Sequence, residues 1–325
     1  MADICGTNYI GVDIGGTNLR LALVDRRGSI AAREKLQTDI HLGRERFLDC
    51  LLSGISMLRV RAEQTGARVQ AAGIGIPGLI DASGLVLSSV NLPPIEGLNL
   101  KEIVARSSGL PIVTVNDANA AAYGEKMYGA GRDFGSLMLL TLGTGVGSGL
   151  ILDGRLWTGV DGVAAECGHV TVEPDGIQCS CGNRGCLEQY ASARAIVAAA
   201  IRALATGAGG ALGSLHGDAL TAEVIAIAAR GGDPLAQSLY REAGRYLGIA
   251  GAALVNLLNV EAIILAGGMA GSFDLLAGPM REEIGKRAFA LPAGRVQIVA
   301  GALGDDAGIL GAAALAMEFF PGEGL

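Results

Sequence analysis

A short cysteine-rich segment has the residue types and spacing of a metal site. Glu166-Cys167-Gly168-His169 is followed by Cys179, Cys181 and Cys186. Three thiolates and one imidazole form a closed tetrahedral set for Zn²⁺, and four protein ligands leave no open position for catalysis. We see no export signal before this cluster, so we expect metal binding here rather than disulfides. The alternative is a group of buried thiols without a metal, and the sequence favours a structural zinc site.

Two glycine-rich turns, Asp13-Ile14-Gly15-Gly16-Thr17-Asn18 and Leu142-Gly143-Thr144-Gly145-Val146-Gly147, each join two apolar segments. Glycines let backbone N–H groups approach phosphate oxygens, and the side chains of Thr17 and Asn18 could donate as well. Asp13 could orient Mg²⁺ through water. Either turn alone could be an ordinary hairpin, but two such turns suit a nucleotide clamped between two lobes. Neither has the P-loop pattern or opens a βαβ unit.

The segment Asn116-Asp117-Ala118-Asn119 follows a buried apolar run. A carboxylate at the end of a strand, close to a phosphate site, suits a general base that takes a proton from an attacking hydroxyl. Phosphoryl transfer depends mainly on positioning and charge neutralisation, so one base and one magnesium ion could suffice. The competing interpretation is a helix cap, because Asp and Asn often begin helices. The local sequence leaves both interpretations open.

Hydrophobic periodicity indicates the elements that must position these residues. Around the first turn it predicts an antiparallel meander of three strands, and around the second turn a strand, turn, strand arrangement that repeats the first. The predicted strands are 9–14, 19–25, 30–36, 69–76, 111–115, 137–142, 148–152, 261–266 and 295–300. The predicted helices are 44–64, 100–106, one ending at 127, 191–205, 222–229, 234–258 and 307–319. We predict no linker, and at most a flexible loop at 207–213.

Length and composition limit the class of protein. The chain has 325 residues, of which 50% are hydrophobic and 18% charged, which is typical of two folded domains. The net charge of −7 disfavours nonspecific binding to nucleic acid. The largely apolar stretch 134–152 is long enough for a membrane span, but its glycines favour two strands joined by a turn. We therefore expect a soluble, cytoplasmic protein that binds neither nucleic acid nor membranes.

These motifs occur in the same order in ROK-family proteins, which the chain resembles from about residue 9 to residue 313. The resemblance is carried by Asp-Ile-Gly-Gly-Thr-Asn, Asn-Asp-Ala-Asn, Leu-Gly-Thr-Gly-Val-Gly, Glu-x-Gly-His and Cys-x-Cys-Gly-Asn-x-Gly-Cys-Leu-Glu. It implies a two-lobed α/β protein of the actin-like or hexokinase-like (ribonuclease H-like) ATPase fold, with central mixed sheets. We expect one lobe at 1–120 plus 306–325 and the other at 121–305, with the zinc loop at 166–188.

The resemblance also implies a role for each matching residue in an ATP-dependent sugar kinase. Asp117 matches the catalytic base. It also matches a sugar-binding position, as do Gly78, Asn116, Glu166, His169 and Glu188. Asp13, Gly15, Gly16, Thr17, Asn18, Gly143, Thr144 and Gly145 match the part that holds ATP and Mg²⁺, and Gly267 and Gly268 lie near the expected adenosine site. The zinc ligands would be His169, Cys179, Cys181 and Cys186, which leaves Cys167 out. Ser148 departs from the family pattern, because many relatives have a third glycine there.

Glucose is the expected substrate, but kinases for N-acetylmannosamine, N-acetylglucosamine, fructose and allose share these motifs. A sugar-responsive repressor would need a DNA-binding domain, for which the few residues before Asp13 leave no room. A chaperone or assembly ATPase of the same fold would not need the residues assigned to the sugar. Sugar binding is expected to close the lobes over the cleft and expel water. The family resemblance implies a homodimer or homotetramer.

Overall fold

The computed structural model describes residues 6–207, 210–214 and 217–322. The first residues, in which no export signal was expected, and part of the predicted loop at 207–213 lie outside this range. The chain divides into two compact units. The first unit contains 6–133, 149–165 and 305–322, and the second contains the described residues of 134–148 and 166–304. The first unit thus takes in 121–133 and 149–165, which lie beyond the predicted boundary at residue 120.

The first unit is built on a five-stranded mixed sheet of order β3-β2-β1-β4-β7. Its strands are β1 (Thr7–Ile14), β2 (Asn18–Asp25), β3 (Ile30–Gln37), β4 (Arg68–Ile76) and β7 (Ile112–Asn116), and β5 (Leu79–Ile80) and β6 (Val86–Ser88) form a separate hairpin. Strands β1, β2 and β3 are antiparallel neighbours, as the meander predicted, and β4 and β7 run parallel to β1. The carboxyl ends of β1, β4 and β7 therefore share one edge of the sheet.

Four helices accompany this sheet: α1 (Arg44–Gln64), α2 (Leu100–Ser108), α3 (Asp117–Tyr128) and α10 (Ala307–Phe319). In α1, the fully buried residues Phe47, Leu51, Ile55 and Leu58 recur at helical spacing, so one face of the helix packs on the core. Strands β1, β2 and β4 supply the facing core residues. The bounds of α1 and α10 agree with the sequence prediction.

The second unit contains the parallel strands β8 (Leu137–Leu142), β11 (Ala262–Ala266) and β12 (Gln297–Ala300). Strand β9 (Val146–Leu152) begins in this unit and continues into the first, where it pairs with β10 (Arg155–Trp157). The strand order is β10-β9-β8-β11-β12, which repeats the pattern of the first sheet. The weak sequence echo between the two turns thus corresponds to a repeated topology.

The helices of the second unit are α4 (Glu188–Ala191), α5 (Ala193–Ala205), α6 (Ala222–Arg230), α7 (Pro234–Leu258), α8 (Phe273–Arg287) and α9 (Ala290–Arg295). Helix α7 has strong local signals: Asp233 accepts a hydrogen bond from the N–H of Ala236 at 2.9 Å, Pro234 is the first residue, and Asn259 ends it in the left-handed region at φ 51°. Among the described residues, no helix is long and apolar enough to cross a membrane.

Some predicted bounds were wrong. The helix predicted from residue 191 begins at Ala193, because Ser192 is extended and caps it by accepting from the N–H of Ala195 at 3.1 Å. The strand predicted from residue 295 begins at Gln297, because Arg295 ends α9. Helix α8 was missed altogether. It contains Pro279, which disfavours a helix interior, so its local sequence signal is weak.

Candidate active site

In the first unit, the turn between β1 and β2 is held by backbone bonds and by one buried threonine. The N–H of Gly15 donates to the carbonyl of Asn18 at 2.9 Å. Thr38 is buried, and its hydroxyl donates to the carbonyl of Gly15 at 2.8 Å while its N–H donates to that of Thr17 at 2.9 Å. Gly16 faces open space. Thr38 thus fixes the turn from outside while its tip stays exposed.

Asp13, at the end of β1, is joined to two charged residues from distant parts of the chain. Arg20 on β2 contacts the carboxylate of Asp13 at 3.1 Å and that of Asp305 at 3.1 Å. Burial raises the pKa of Asp13, and the charge and hydrogen bond of Arg20 oppose that rise. Sequence reasoning assigned neither Arg20 nor Asp305, because their meeting depends on residues nearly the whole chain apart.

A cavity of about 690 Å³ opens beside this turn, and all of its lining belongs to the first unit. The lining includes Gly15, Gly16, Thr17, Asn18, Arg20, Arg33, Lys35, Asp305 and Asp306. Helix α10 begins at Ala307, next to Asp305 and Asp306, and Gly308 packs against the side chain of Asp13. Both arginines are paired with carboxylates, Arg20 with Asp13 and Asp305 and Arg33 with Asp306, so the cavity carries charges of both signs beside a helix N-terminus.

Asn116 and Asp117 lie where β7 passes into α3. The side-chain oxygen of Asn116 accepts from the N–H groups of Ala118 at 2.9 Å and Asn119 at 3.1 Å, so Asn116 is the helix cap. Its amide also donates to the carbonyl of Gly78 at 3.0 Å. Gly78 has φ 122°, and an added Cβ there would collide with the carbonyl of Ser88, so only glycine fits.

Because Asn116 supplies the cap, Asp117 is not needed for that purpose. Asp117 is the first residue of α3, and one oxygen of its carboxylate lies 2.8 Å from the N–H of Ala118. A negative charge is favoured at this position by the partial positive charge of the helix N-terminus. Asn116 thus makes the capping bonds at this junction, and the assignment of Asp117 as a base stays a prediction.

In the second unit, Glu188 organises the turn between β8 and β9. One oxygen of its carboxylate accepts from the N–H of Val146 at 3.0 Å, and the same oxygen occupies the space that a Cβ on Gly145 would need. The N–H of Gly143 donates to the carbonyl of Gly145 at 3.0 Å, which closes the turn. Glu188, assigned by resemblance to the sugar, therefore also contacts the glycine turn.

The other predicted nucleotide residues of the second unit cluster at the end of β8. Gly267 lies so close to Leu142 that a Cβ would come within 2.7 Å of its carbonyl oxygen, and the N–H of Met269 donates to that carbonyl at 2.9 Å. Gly268 faces open space. Thr144 lines a separate cavity of about 560 Å³ whose walls come largely from α5 and the start of α6.

The predicted zinc ligands are together in space. One donor atom from each of His169, Cys179, Cys181 and Cys186 lies within 4.8 Å of all the others. The Sγ atoms of Cys181 and Cys186 are 3.6 Å apart, and Cys179 Sγ is 3.7 Å from His169 Nδ1. Tetrahedral Zn²⁺ with Zn–S bonds of about 2.3 Å needs sulfur separations of about 3.8 Å. The donor set therefore fits zinc in both chemistry and spacing.

Cys167 lies outside this cluster and is buried. Burial raises the pKa of its thiol to about 12, so it is a poor thiolate ligand. Its backbone N–H donates to the hydroxyl of Ser148 at 2.8 Å. Ser148, which replaces the glycine expected at this position, thus anchors the segment that begins at Glu166.

Glu166 and His169 flank Cys167 on one short helical turn. Burial raises the pKa of Glu166; His169 opposes the rise, and the nearby charge of Glu188 adds to it. Since His169 turns Nδ1 towards the cysteines, its Nε2 is left for another partner. Glu166, His169 and Glu188 therefore form a compact polar group beside the three cysteines in the second unit.

Comparisons with known proteins cover almost the whole chain. The model of the family described as "ROK family" matches residues 9–318. A glucokinase of Streptomyces coelicolor is 40% identical over 319 residues, which span 95% of this chain and 97% of that enzyme. A xylose repressor of Caldicellulosiruptor bescii is 33% identical over 313 residues, which span 96% of this chain but 78% of the repressor.

Among solved structures, the chain is similar to a ROK family glucokinase from Streptomyces griseus in complex with glucose and AMPPNP. The TM-score is 0.80, the identity is 39%, and the match covers 96% of this chain and 99% of that one.

Proposed function

Because the chain belongs to the ROK family, we propose that it is an ATP-dependent hexose kinase that converts glucose to glucose 6-phosphate. The observation that supports this proposal most strongly is that nearly the full length of the chain matches a glucokinase whose structure contains glucose and AMPPNP. The predicted actin-like or hexokinase-like α/β fold is confirmed by the same match. The xylose repressors are more distant relatives than the glucokinases.

Asp117 is proposed as the general base that accepts the proton of the attacking sugar hydroxyl. Its place after the buried strand β7, at the first position of α3, fixes the carboxylate on rigid elements. Asn116 takes over the capping bonds and holds the backbone of Gly78, which we propose to line the sugar pocket. A base so placed contributes about 10²- to 10⁴-fold to the rate.

Glu166, His169 and Glu188 are proposed to hydrogen-bond the sugar hydroxyls. A ligated imidazole has a fixed orientation, so Zn²⁺ on Nδ1 of His169 would aim the Nε2–H group at the sugar. We propose that zinc is held by His169, Cys179, Cys181 and Cys186 and is structural. Its effect on sugar binding would then be indirect, through the orientation of one side chain.

The phosphates of ATP are proposed to lie on the turns at Gly15–Asn18 and Gly143–Gly145, with Gly267 and Gly268 near the adenosine. The carboxylate of Asp13 is an oxygen donor of the kind that Mg²⁺ prefers, and Asp305 supplies another close by. Bound Mg²⁺ would neutralise phosphate charge as the γ-phosphoryl group is transferred. We also propose a cytoplasmic homodimer or homotetramer that binds no nucleic acid.

The decisive experiment is ADP release from the purified protein with ATP, Mg²⁺ and a panel of hexoses and N-acetylhexosamines. We expect turnover to be highest with glucose. A preference for an N-acetyl sugar would keep the mechanism and change the substrate. Sugar binding without turnover would contradict the kinase and favour a sugar-responsive regulator.

The Asp117→Asn variant tests the base. We expect kcat to fall by about 10²- to 10⁴-fold while the calorimetric Kd for glucose changes little, because the amide keeps the shape but cannot take the proton. Asp49→Asn, an exposed change on α1, is the matched control and should leave kcat unchanged. A kcat near wild type for Asp117→Asn would remove Asp117 as the base.

A further inference from the structure

A second cavity of the first unit lies against β7, the edge strand at the opposite end of the sheet from β3. Its volume is about 390 Å³, within the range of small-molecule sites. The cavity shares no lining residue with the one beside the Gly15–Asn18 turn. With strands about 4.8 Å apart, β3 and β7 are separated by roughly 19 Å, so the two cavities are distinct.

The floor of this cavity is apolar. Ile80, Ile112, Val115 and Leu315 line it, and each is less than a tenth exposed. Phe319, at the end of α10, contributes an aromatic ring at the rim and is 62% exposed. An apolar floor of this kind stabilises an aromatic or branched body by removing its surface from water.

Four charged side chains line the cavity, and the two acidic ones already have partners. Asp81 accepts from the N–H groups of Ser83 and Leu85 at 2.9 Å each, and Glu318 accepts from the hydroxyl of Tyr123 at 2.6 Å. These bonds close a local turn and tie α10 to α3. Neither carboxylate therefore needs a ligand.

The two cationic side chains, in contrast, have no such partners among the described residues. Within the described part of the chain, Lys101 on α2 and Arg155 on β10 have no hydrogen-bond or ion-pair partner. They come from different elements and border the same cavity, which Thr114 and Thr158 also line. Unpaired cations over an apolar floor are matched by a molecule with one acidic group and an apolar body.

We propose that this cavity is a non-catalytic binding site for a small organic anion with an aromatic or branched apolar body. The acidic group would lie between Lys101 and Arg155, and the body on Ile112 and Val115. The floor strand β7 ends at Asn116, the residue before Asp117, so a ligand here would rest on the element that positions the proposed base.

The only tryptophan of the sequence gives a direct test. Trp157 lies on β10 between Leu156 and Thr158, which both line the cavity. The probe is 8-anilinonaphthalene-1-sulfonate, whose fluorescence is excited by energy transfer from tryptophan, and its neutral analogue N-phenyl-1-naphthylamine lacks the sulfonate. We expect saturable transfer from Trp157 to the sulfonate probe, with weaker binding of the neutral probe and no competition by glucose plus AMPPNP.

Variants assign the binding to this cavity. Lys101→Gln with Arg155→Gln should weaken the sulfonate probe about tenfold or more and bring its Kd close to that of the neutral probe. Arg44→Gln with Arg68→Gln, exposed cations outside the cavity, should change nothing. Thr158→Phe, which fills the cavity without altering charge, should weaken both probes. Equal affinity for the two probes in the native protein, or wild-type sulfonate binding in the first double variant, would overturn the proposal.

Discussion

Asp13 is subject to two opposing influences within a few ångströms. Burial disfavours its charge and the nearby carboxylate of Asp305 adds to that effect, while Arg20 at 3.1 Å favours the charge. Burial is the larger effect, so the pKa in the folded state is above the ordinary value of 3.8. The native state therefore holds this proton more tightly than the unfolded chain, and the stability that depends on Asp13 falls as the pH rises through the two pKa values.

Asp13→Asn removes this titration. We expect the variant to become more stable relative to wild type as the pH rises above about 4, because only the wild type must then bury a charge at this position. Its free energy of unfolding, minus that of wild type, should therefore increase with pH. Denaturant unfolding at several pH values measures it, with Asp49→Asn as control. A difference that is independent of pH, or that moves against the variant, would contradict the assigned shift.

Arg20 and Thr38 show which residues a motif search misses. Both flank the glycine turn and contact it directly, yet neither is part of the glycine pattern. Arg20 had one local signal, since it is a charged residue within an otherwise apolar strand. Thr38 had none, because it reaches the turn only through the pairing of β2 with β3.

At the scale of elements, the loop between β10 and α4 has little regular secondary structure, and we propose that metal binding by His169 and three cysteines stabilises it. Among the described residues from 158 to 187 there is a single 3₁₀ turn. The backbone is otherwise paired by isolated bridges such as Thr171 with Cys186 and by loop hydrogen bonds such as that from the N–H of Leu187 to the carbonyl of Val170 at 3.0 Å. Glu166 lies three residues before His169, and Glu188 two residues after Cys186, so we expect loss of the metal to disturb both carboxylates.

Cys181→Ala tests this dependence. We expect loss of bound zinc, a lower Tm, and an increase in the KM for glucose of about 10- to 100-fold, because His169 is no longer oriented. Metal analysis, thermal unfolding and kinetics give the three readouts. The control is Cys167→Ala, which removes a buried thiol outside the cluster, and this variant should still bind zinc. Normal glucose kinetics in zinc-free protein would separate the metal from the sugar site.

At the scale of the whole molecule, the end of the chain completes the first unit. Helix α10 packs against β1, β4 and α3 through glycines that allow backbone to approach backbone: Gly11 meets Ile309, Gly73 meets Ala312, and Gly311 meets Ala120. The hydroxyl of Tyr9 also donates to the carbonyl of Phe320 at 3.2 Å. The packing of the first unit therefore joins residues that lie about 300 positions apart in the sequence.

Gly73→Ala should show this in stability. An added Cβ would collide with the carbonyl of Ala312, which belongs to helix backbone and cannot easily move, so we expect a loss of about 3 kcal/mol or more. The control is Gly278→Ala on α8, where the added Cβ meets nothing and should stabilise by about 0.5–1 kcal/mol. Denaturant unfolding compares them. A tolerated Gly73→Ala would mean that α10 is loosely packed.

The sequence by itself determined the local features. The bounds of α1, α7 and α10 agreed with prediction because caps, proline, asparagine and apolar spacing act within a few residues of each helix. The meander of β1, β2 and β3 likewise depends on short turns. The candidate metal cluster was identifiable because its residue types are rare and three of them lie within eight residues.

The tertiary structure decided what depends on residues far apart in the chain. It brought Asp305 to Arg20 and Asp13, placed Glu188 on the turn at Gly145, and set Lys101 and Arg155 around one cavity. It also gave the capping bonds to Asn116 rather than to Asp117, a choice that the local sequence could not make. The reason is physical: a sequence pattern reports on neighbours within a few residues, whereas these contacts form only when strands and helices from opposite ends of the chain pack together.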